Sequence, residues 1–139
     1  NSFVANFVGI TNLFHGTLES LEAQQVIIRI SQQTLVGTLR SANSTPTMNA
    51  SVEATVRAEQ VRLFRGKAEN RDCEVYFQSR VTDVIFEGER IIYELSVAAL
   101  SDVLIKSIHH DQQDFLTFEV GETIFVGWQS RDMHVFVVD

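Results

Sequence analysis

The sequence predicts an all-β domain, folded as a sandwich or a barrel, and three observations lead to this prediction. From residue 10 onward, short runs of β-branched and aromatic residues alternate with turn residues, the pattern of short antiparallel strands. Helical spacing of apolar residues occurs only at the N-terminus. The chain has 139 residues, of which 45% are apolar, so it can bury a hydrophobic core without a disulfide framework.

The N-terminal segment is predicted to be the end of a helix. Its apolar residues Phe3, Val4, Phe7 and Val8 fall on one face of a helix, and Gly9 follows as a residue that ends a helix. The chain also begins without a methionine. We therefore expect residues 1–9 to lead from a domain that lies outside this sequence, and residues 10–139 to form the β domain.

The first half of the chain is predicted to contain five strands: residues 14–21, 24–31, 34–39, 51–57 and 61–64. The polar segment 41–47 contains the only proline, so it is expected to be an exposed loop. Residues 58–60 are expected to form a single turn, and the charged segment 66–72 a solvent-exposed loop.

The second half is predicted to contain two hairpins and a further strand. Residues 76–97 form the clearer hairpin, because two apolar runs flank the turn Glu87-Gly88-Glu89-Arg90. A strand follows at 103–108. A glycine turn at 119–123 then leads into a final hairpin, which is made of residues 124–128 and 134–138.

Charge and composition exclude several classes of function. The net charge is −7, and from Arg71 onward there are 13 acidic and 5 basic residues, a balance that repels phosphate backbones. Nucleic acid is therefore not expected as a partner. No apolar run approaches the roughly 18 residues of a membrane-spanning helix, so membrane insertion is not expected either. The single cysteine, Cys73, cannot form an internal disulfide and is expected to be a small core or surface residue.

No catalytic motif is found. The Gly66-Lys67 pair is followed by Ala68 where a phosphate-binding loop needs serine or threonine, so the chain is not expected to hydrolyse ATP. No serine occupies a Gly-x-Ser-x-Gly turn. Glu87 and Glu89 flank a hairpin turn, where paired carboxylates keep a turn soluble unless burial raises their pKa.

One segment holds four groups that suit divalent ions: His109, His110, Asp111 and Asp114. Adjacent histidines on a strand point to opposite sides, so a solvated loop is favoured over a metal site. The other histidines, His15 and His134, are expected to be packed or edge residues.

Three segments occur in an order that resembles a known family. Residues 3–16 resemble a Phe-Val-Ala-x-Phe-Ile-Gly junction followed by asparagine and a glycine-containing strand. Residues 56–63 resemble an Arg-Pro-Glu-x-Ile segment, with Ala58 in place of proline. Residues 120–136 resemble a closing Gly-x-x-Val-x-Val-x-Trp strand and its return strand, and residues 81–89 fit a central hairpin. This order is similar to that of the transport-associated OB-like (TOBE) domain of importer ATPases of the maltose, polyamine and iron type. The matching positions are Gly9, Asn12, Gly16, Arg57, Glu59, Gly88, Gly121, Trp128, Asp132, His134 and Phe136.

The resemblance implies an OB-like barrel, or two small intertwined barrels, after a short N-terminal helix. It implies a regulatory and dimerisation domain of a cytoplasmic ATP-binding subunit that lies at the inner face of the membrane. The partners would be a second copy, the ATPase domain and, through it, the membrane subunits of a polyamine-type importer. ATP and magnesium would bind only in the ATPase domain, so no cofactor is expected here. Trp128 and Phe136 are expected to fill the barrel core rather than to bind a ligand.

Two other functions are alternatives for a barrel of this kind. A small-molecule sensor would bind an oxyanion or the transported solute at a subunit interface, and an anion site would need backbone amides with basic or hydroxyl side chains. An oligonucleotide-binding barrel is disfavoured by the acidic charge.

Overall fold

The computed structural model describes residues 10–41, 46–110 and 117–138, so the predicted helix at residues 1–9 lies outside the described residues. In this part of the chain, ten strands are connected by turns and by four single-turn 3₁₀ helices. The strands are β1 (Thr11–Glu22), β2 (Gln25–Ile30), β3 (Gln33–Ser41), β4 (Ser51–Arg57), β5 (Arg62–Phe64), β6 (Val75–Glu87), β7 (Arg90–Val97), β8 (Val103–His110), β9 (Thr123–Trp128) and β10 (His134–Val137). The 3₁₀ helices are Ala58–Gln60, Lys67–Glu69, Ala98–Leu100 and Ser130–Asp132. The predicted all-β class is confirmed.

Five strands close into a barrel in the order β1-β2-β3-β10-β4. β1 pairs with β2 over its C-terminal half and with β4 over its N-terminal half, so it bends across the barrel. β10 lies parallel to β3 and antiparallel to β4 and fills the last gap. A closed five-stranded barrel of this kind is OB-like, as predicted.

The other five strands form a second sheet in the order β5-β9-β6-β7-β8, which does not close. It repeats the barrel arrangement strand for strand, with β6 to β9 in the places of β1 to β4. Leu18 in β1 exchanges two backbone hydrogen bonds with the segment before β4, and Val81 in β6 does the same with the segment before β9. Immediately after these residues both strands carry a β-bulge. The fold therefore consists of two similar units.

The two units exchange their last strands. After β4 the chain passes through the 3₁₀ helix Ala58–Gln60 and enters the second sheet as β5, beside β9. After β9 it passes through the 3₁₀ helix Ser130–Asp132 and returns to the barrel as β10, beside β4. The units are consequently intertwined, and neither is complete without a strand from the other half of the chain.

This exchange contradicts the predicted final hairpin of residues 124–128 and 134–138. β9 pairs with β5 and β6, whereas β10 pairs with β3 and β4. The reason is that Met133, between the two segments, is fully buried where the chain crosses from one unit to the other. A hairpin would leave this residue in a solvent-facing turn.

The predicted hairpin at residues 76–97 is confirmed as β6 and β7. Glu87 pairs with Arg90, which leaves the two-residue turn Gly88-Glu89 between them. Gly88 has φ +65°, and Glu89 has a negative φ, the combination of a type II′ turn with glycine at its first central position. The glycine is required by the backbone, since nothing lies within 4 Å of the place of a Cβ.

One hydrophobic core joins the barrel to the second sheet. Trp128 at the end of β9 is fully buried, and its ring stacks on Phe14 of β1 at a centroid distance of 5.7 Å. Phe136 does not fill the core as predicted: it is half-buried, and its neighbour Val135 is the fully buried residue of β10. Alternation of side chains along the strand directs only one of these neighbours inward.

Candidate functional site

The junction between the two units is built around Asn12, one of the positions that match the family pattern. Its amide nitrogen Nδ2 donates to the carbonyl oxygens of Val56, at 3.2 Å, and Lys106, at 2.9 Å. Its Oδ1 accepts a hydrogen bond of 2.8 Å from the backbone nitrogen of Lys106. Asn12 lies in β1 of the barrel and Lys106 in β8 of the second sheet, and Asn12 is buried. The side chain therefore joins the two units through its two hydrogen bonds with Lys106, while the third, to Val56, lies within the barrel.

Equivalent turns of the two units also touch. Ser31 lies in the turn between β2 and β3, and Ser101 lies in the turn between β7 and β8. Their hydroxyl oxygens are 2.6 Å apart in an exposed hydrogen bond. Both residues have left-handed backbone conformations, with φ of 55° and 59°. Ser31 of the barrel thus contacts the residue in the corresponding turn of the second unit, as expected for two units in an approximately twofold arrangement.

The barrel is closed by direct backbone contact beside Gly37. The amide of Thr38 in β3 donates to the carbonyl oxygen of Met133, just before β10, at 2.9 Å. A Cβ on Gly37 would lie 2.8 Å from the Cγ2 atom of Val135 and 3.1 Å from the Met133 oxygen. Glycine therefore permits β3 and β10 to approach closely enough to pair.

The second sheet replaces this backbone contact with a side chain. The hydroxyl of Ser107 in β8 donates to the carbonyl oxygen of Val61, just before β5, at 2.8 Å. The Nε2 atom of His109 lies 2.8 Å from the Oγ atom of Ser107. Because the single hydroxyl proton is used toward Val61, His109 is the donor in this contact. Ser107 is fully buried. It bridges the edges of β8 and β5, and the sheet remains open.

Two glycines of the family pattern meet specific backbone demands. Gly16 lies in β1 where the strand passes from β4 to β2, and a Cβ there would collide with the carbonyl oxygen of Arg29. Gly121 has φ +92°, and its amide donates to the carbonyl oxygen of Val81 at 2.7 Å. Asn49 takes the same role before β4, with φ 64° and a hydrogen bond to Leu18.

Arg65 fastens the end of β5 to the segment before β9. Its Nε donates to the Oε2 of Glu122 at 2.8 Å, and its Nη2 donates to the carbonyl oxygen of Thr117 at 2.8 Å. The guanidinium also lies 4.6 Å from the centre of the Phe118 ring. The hydrogen bond from Arg65 holds the pKa of the Glu122 carboxyl below its usual range, and it raises the pKa of Arg65.

The remaining matching positions lie at the two crossings between units, and Gly9 lies outside the described residues. Arg57 ends β4 and Glu59 lies in the following 3₁₀ helix, where both are exposed. Asp132 ends the 3₁₀ helix Ser130–Asp132 at the other crossing. His134 begins β10, and its Nε2 atom lies 3.4 Å from the Nη2 atom of Arg40. These positions mark the connections that exchange strands.

The candidate metal ligands are not brought together in the described residues. His109 and His110 end β8; His109 contacts Ser107, while His110 is exposed. Asp111 and Asp114 lie outside the described residues. Within the described ranges, no group of three or more histidine, cysteine, aspartate or glutamate side chains is arranged to hold a metal ion.

The other single residues considered from the sequence have ordinary surroundings. His15 is exposed on the barrel surface, with its Nδ1 3.8 Å from a carboxyl oxygen of Glu53. Cys73 is buried, and its burial raises the pKa of the thiol. Residues 10–41, 46–110 and 117–138 contain no helix long and apolar enough to cross a bilayer.

The sequence indicated Asn12 and Gly16 but missed Ser107, Gly37 and Arg65. Ser107 could have been noticed as a small polar residue inside an apolar strand, where a buried hydroxyl needs a partner. The Arg65–Glu122 pair joins residues far apart in sequence, and no local pattern indicates it.

The fold and its junction define a class: an OB-like domain of two intertwined units that exchange strands and are joined by the side chain of a buried asparagine. The comparisons identify the family. The model of the TOBE domain matches residues 54–136, and the chain belongs to this family.

Several named proteins are similar to this chain over most of its length. The chain is 29% identical over 135 residues to "Spermidine/putrescine import ATP-binding protein PotA 2" of Pseudomonas aeruginosa, covering 96% of this chain and 36% of that protein. It is 27% identical over 131 residues to the PotA protein of Rubrobacter xylanophilus, covering 94% of this chain and 33% of the relative. The chain thus spans about a third of the length of these relatives.

A solved structure shares the fold. The cytoplasmic molybdate-binding protein ModG, in a crystal form with molybdate bound, superimposes with a TM-score of 0.76 at 20% sequence identity. The match covers 91% of this chain and 96% of that one. At this identity the likeness concerns the fold alone.

Proposed function

We propose that this chain is the non-catalytic regulatory domain of an ATP-binding subunit that drives solute import by an ABC transporter. The observation that carries the proposal is the family match together with relatives named as import ATP-binding proteins, which the chain matches over nearly its full length. The catalytic chemistry would belong to the part of the subunit outside this chain. ATP and magnesium would bind there as well.

The mechanical role proposed for the domain is that of a rigid partner in a subunit dimer. The exchanged strands and the Asn12 contacts make the two units one body, because separating them would break sheet pairing and the two hydrogen bonds between Asn12 and Lys106. Two such bodies could stay paired while the ATPase domains open and close. A ligand or protein bound to the domain would bias that equilibrium only through different affinities for its states.

The full subunit would lie at the cytoplasmic face of the membrane and contact the transporter's membrane subunits. A polyamine is the proposed solute, because the relatives are named for spermidine and putrescine import. The chain's net charge of −7 is compatible with a cationic solute nearby.

A sensor of small molecules is the second candidate, and the shared fold with a molybdate-binding protein favours it. In that case an oxyanion or the transported solute would bind at an interface between subunits. The acidic second half of the chain weighs against an oxyanion.

The solution mass of the 139-residue chain separates these functions. Light scattering of the chain would be measured without added solute and with spermidine, putrescine or molybdate, at constant ionic strength. A dimer whose mass and thermal stability do not change with any solute supports the regulatory dimer. A monomer that dimerises or gains thermal stability with one solute supports the sensor, and a monomer that responds to none contradicts both.

A chimera tests the regulatory role itself. The chain would replace the matching third of the Pseudomonas aeruginosa PotA 2 protein, and uptake of spermidine would be measured in cells lacking the native protein. Uptake well above that of a chimera without this third is expected. A stable chimera that hydrolyses ATP but supports no uptake would contradict the proposal.

A further inference from the structure

The second sheet carries a cleft that is lined mostly by polar residues and that the packing of the two units does not use. It has a volume of about 400 Å³ and lies where β6, β7 and β9 meet the 3₁₀ helix Ala98–Leu100. Pockets for small ligands begin at about 300 Å³, so the cleft can hold a small solute. We name it the Arg80 cleft; its lining includes Gln78, Arg80, Ser96, Ala98, Asp102 and Thr123.

The strand register surrounds a guanidinium with hydroxyl groups. Arg80 on β6 is directly opposite Ser96 on β7 and Thr123 on β9. Directly opposite residues share a face of the sheet, with Cβ atoms about 5 Å apart. The guanidinium can therefore bind a carboxylate through two parallel hydrogen bonds while the hydroxyls contact the same group.

Arg80 is not neutralised by the described residues. No carboxylate in residues 10–41, 46–110 or 117–138 forms an ion pair with it, whereas Arg65 is paired with Glu122. In the barrel, Thr17 and Arg29 form the strand pair equivalent to Arg80 and Ser96, and Arg29 is paired with Glu19 at 2.6 Å. Among the described residues, the second unit thus has an arginine without an ion pair in the strand pair where the barrel has a paired one.

A carboxylate lines the same cleft. Asp102 follows Ser101 in a turn where both residues have left-handed backbones, with φ near 60°. Hydrogen bonds from their amides to Ala98 and Val97 hold this turn against the end of β7. Within the described residues the Asp102 carboxylate has no ion pair, so no nitrogen of the Arg80 guanidinium lies within 4 Å of its oxygens. The short side chains of Ala98 and Ala99 leave the space between them open.

We propose that the Arg80 cleft binds a small zwitterionic solute of the amino-acid class. Its carboxylate is held by Arg80 with the hydroxyls of Ser96 and Thr123, and its ammonium group faces Asp102. A simple anion meets repulsion from Asp102, and a polyamine meets repulsion from Arg80, so a solute with both charges satisfies the cleft best. The site lies within this chain and does not depend on the proposed transport function.

An NMR titration of the backbone amides tests the site on the 139-residue chain. The probes are ω-amino acids of increasing length, from glycine to γ-aminobutyrate, with acetate and butylamine as probes that carry only one of the two charges. At constant ionic strength, at least one amino acid should shift the amides of Ala98 and Ala99 and bind about tenfold more tightly than acetate or butylamine. Acetate binding as tightly as the amino acids, or no shift with any probe, would overturn the proposal.

Substitutions locate the binding. Arg80→Gln should weaken binding of the amino acid by about tenfold. Asp102→Asn should lower the affinity for the amino acid to that for acetate. Arg80→Lys keeps the charge without the planar fork and should give an intermediate loss. Arg29→Gln removes an already paired guanidinium and serves as the matched control, with unchanged affinity expected. Unchanged binding in folded Arg80→Gln protein would exclude the cleft as the site.

Discussion

The side chain of Asn12 holds the backbone of Lys106 from both directions, donating to its carbonyl oxygen at 2.9 Å and accepting from its amide at 2.8 Å. Lys106 receives this contact on the edge strand of the second sheet, so an asparagine takes the place that a further strand would occupy. The equivalent residue in the other unit is Val75, because Asn12 faces Val56 in β4 as Val75 faces Trp128 in β9. The polar contact is therefore made on one side of the junction only.

Asn12→Ala should destabilise the protein strongly. It leaves the backbone groups of Lys106 and the carbonyl oxygen of Val56 without their partner in a buried site, which should cost about 2–4 kcal/mol. Urea unfolding followed by the fluorescence of Trp128, the only tryptophan, measures the loss. Ser31→Ala removes an exposed contact between the same units, and its cost should stay below about 1 kcal/mol. Equal losses in the two variants would contradict the importance given to the buried contact.

Ser107→Ala should open the gap between β8 and β5. It removes the hydrogen bond to the carbonyl oxygen of Val61, and a buried carbonyl without a partner costs about 1–3 kcal/mol. Faster hydrogen exchange of the amides in β5, measured together with the free energy of unfolding, would locate the effect. Ser51→Ala on the exposed surface of β4 is the control and should change stability by less than about 0.5 kcal/mol. If Ser107→Ala lowers the free energy of unfolding no more than Ser51→Ala does, the bridge is dispensable.

Gly16→Ala should be much more harmful than Gly66→Ala. A methyl group at position 16 meets the backbone oxygen of Arg29, which cannot move without disturbing the pairing of β1 and β2, and such overpacking costs about 1–3 kcal/mol or more. Position 66 has nothing within 4 Å of the added carbon and a φ of −139° that any residue adopts. Thermal unfolding of the two variants should differ by several degrees, and indistinguishable melting temperatures would refute the steric argument.

The Arg65–Glu122 pair should contribute to stability only above the acidic range. Its hydrogen bond lowers the pKa of Glu122 in the folded protein relative to the unfolded chain, where a glutamate pKa is about 4.3. The stabilisation is thus fully present above that value and is lost as the pH falls through the lower folded pKa. The stability difference between the unsubstituted protein and Glu122→Gln should be constant near neutral pH and shrink below about pH 4.

Urea unfolding at a series of pH values measures this difference. Glu89→Gln, in the exposed turn between β6 and β7, is the matched control, and its difference should show no such decline. A gap between the unsubstituted protein and Glu122→Gln that persists unchanged in acid would show that the carboxylate charge does not act through Arg65.

The strands could be predicted because each is specified locally. The hairpin of β6 and β7 is indicated by a glycine turn between two apolar runs, and its register follows from the turn. The exchange of β5 and β10 could not be predicted from local patterns, because both strands are short and their partners lie in the opposite half of the chain; only the family resemblance implied intertwined barrels. The prediction for β10 was also wrong: Phe136 was expected in the core because it is aromatic, whereas the smaller Val135 is the buried residue.

The junction could be predicted only in part. Asn12 and Gly16 belong to a family pattern, although the pattern gives no reason for them; the reasons are the contact with Lys106 and the close approach of Arg29. Ser107 and Arg80 are single polar residues in strands. Their surroundings depend on which strands lie beside them, and the sheet order supplies that information.

The position of β10 has a consequence for the synthesis of the protein. The barrel needs residues His134–Val137 between β3 and β4, and this strand leaves the ribosome after all the other strands of the barrel. Until it emerges, β3 and β4 present unpaired edges that could join a neighbouring nascent chain. The barrel therefore cannot close until the whole of the second sheet has been synthesised, although its other four strands come first in the sequence.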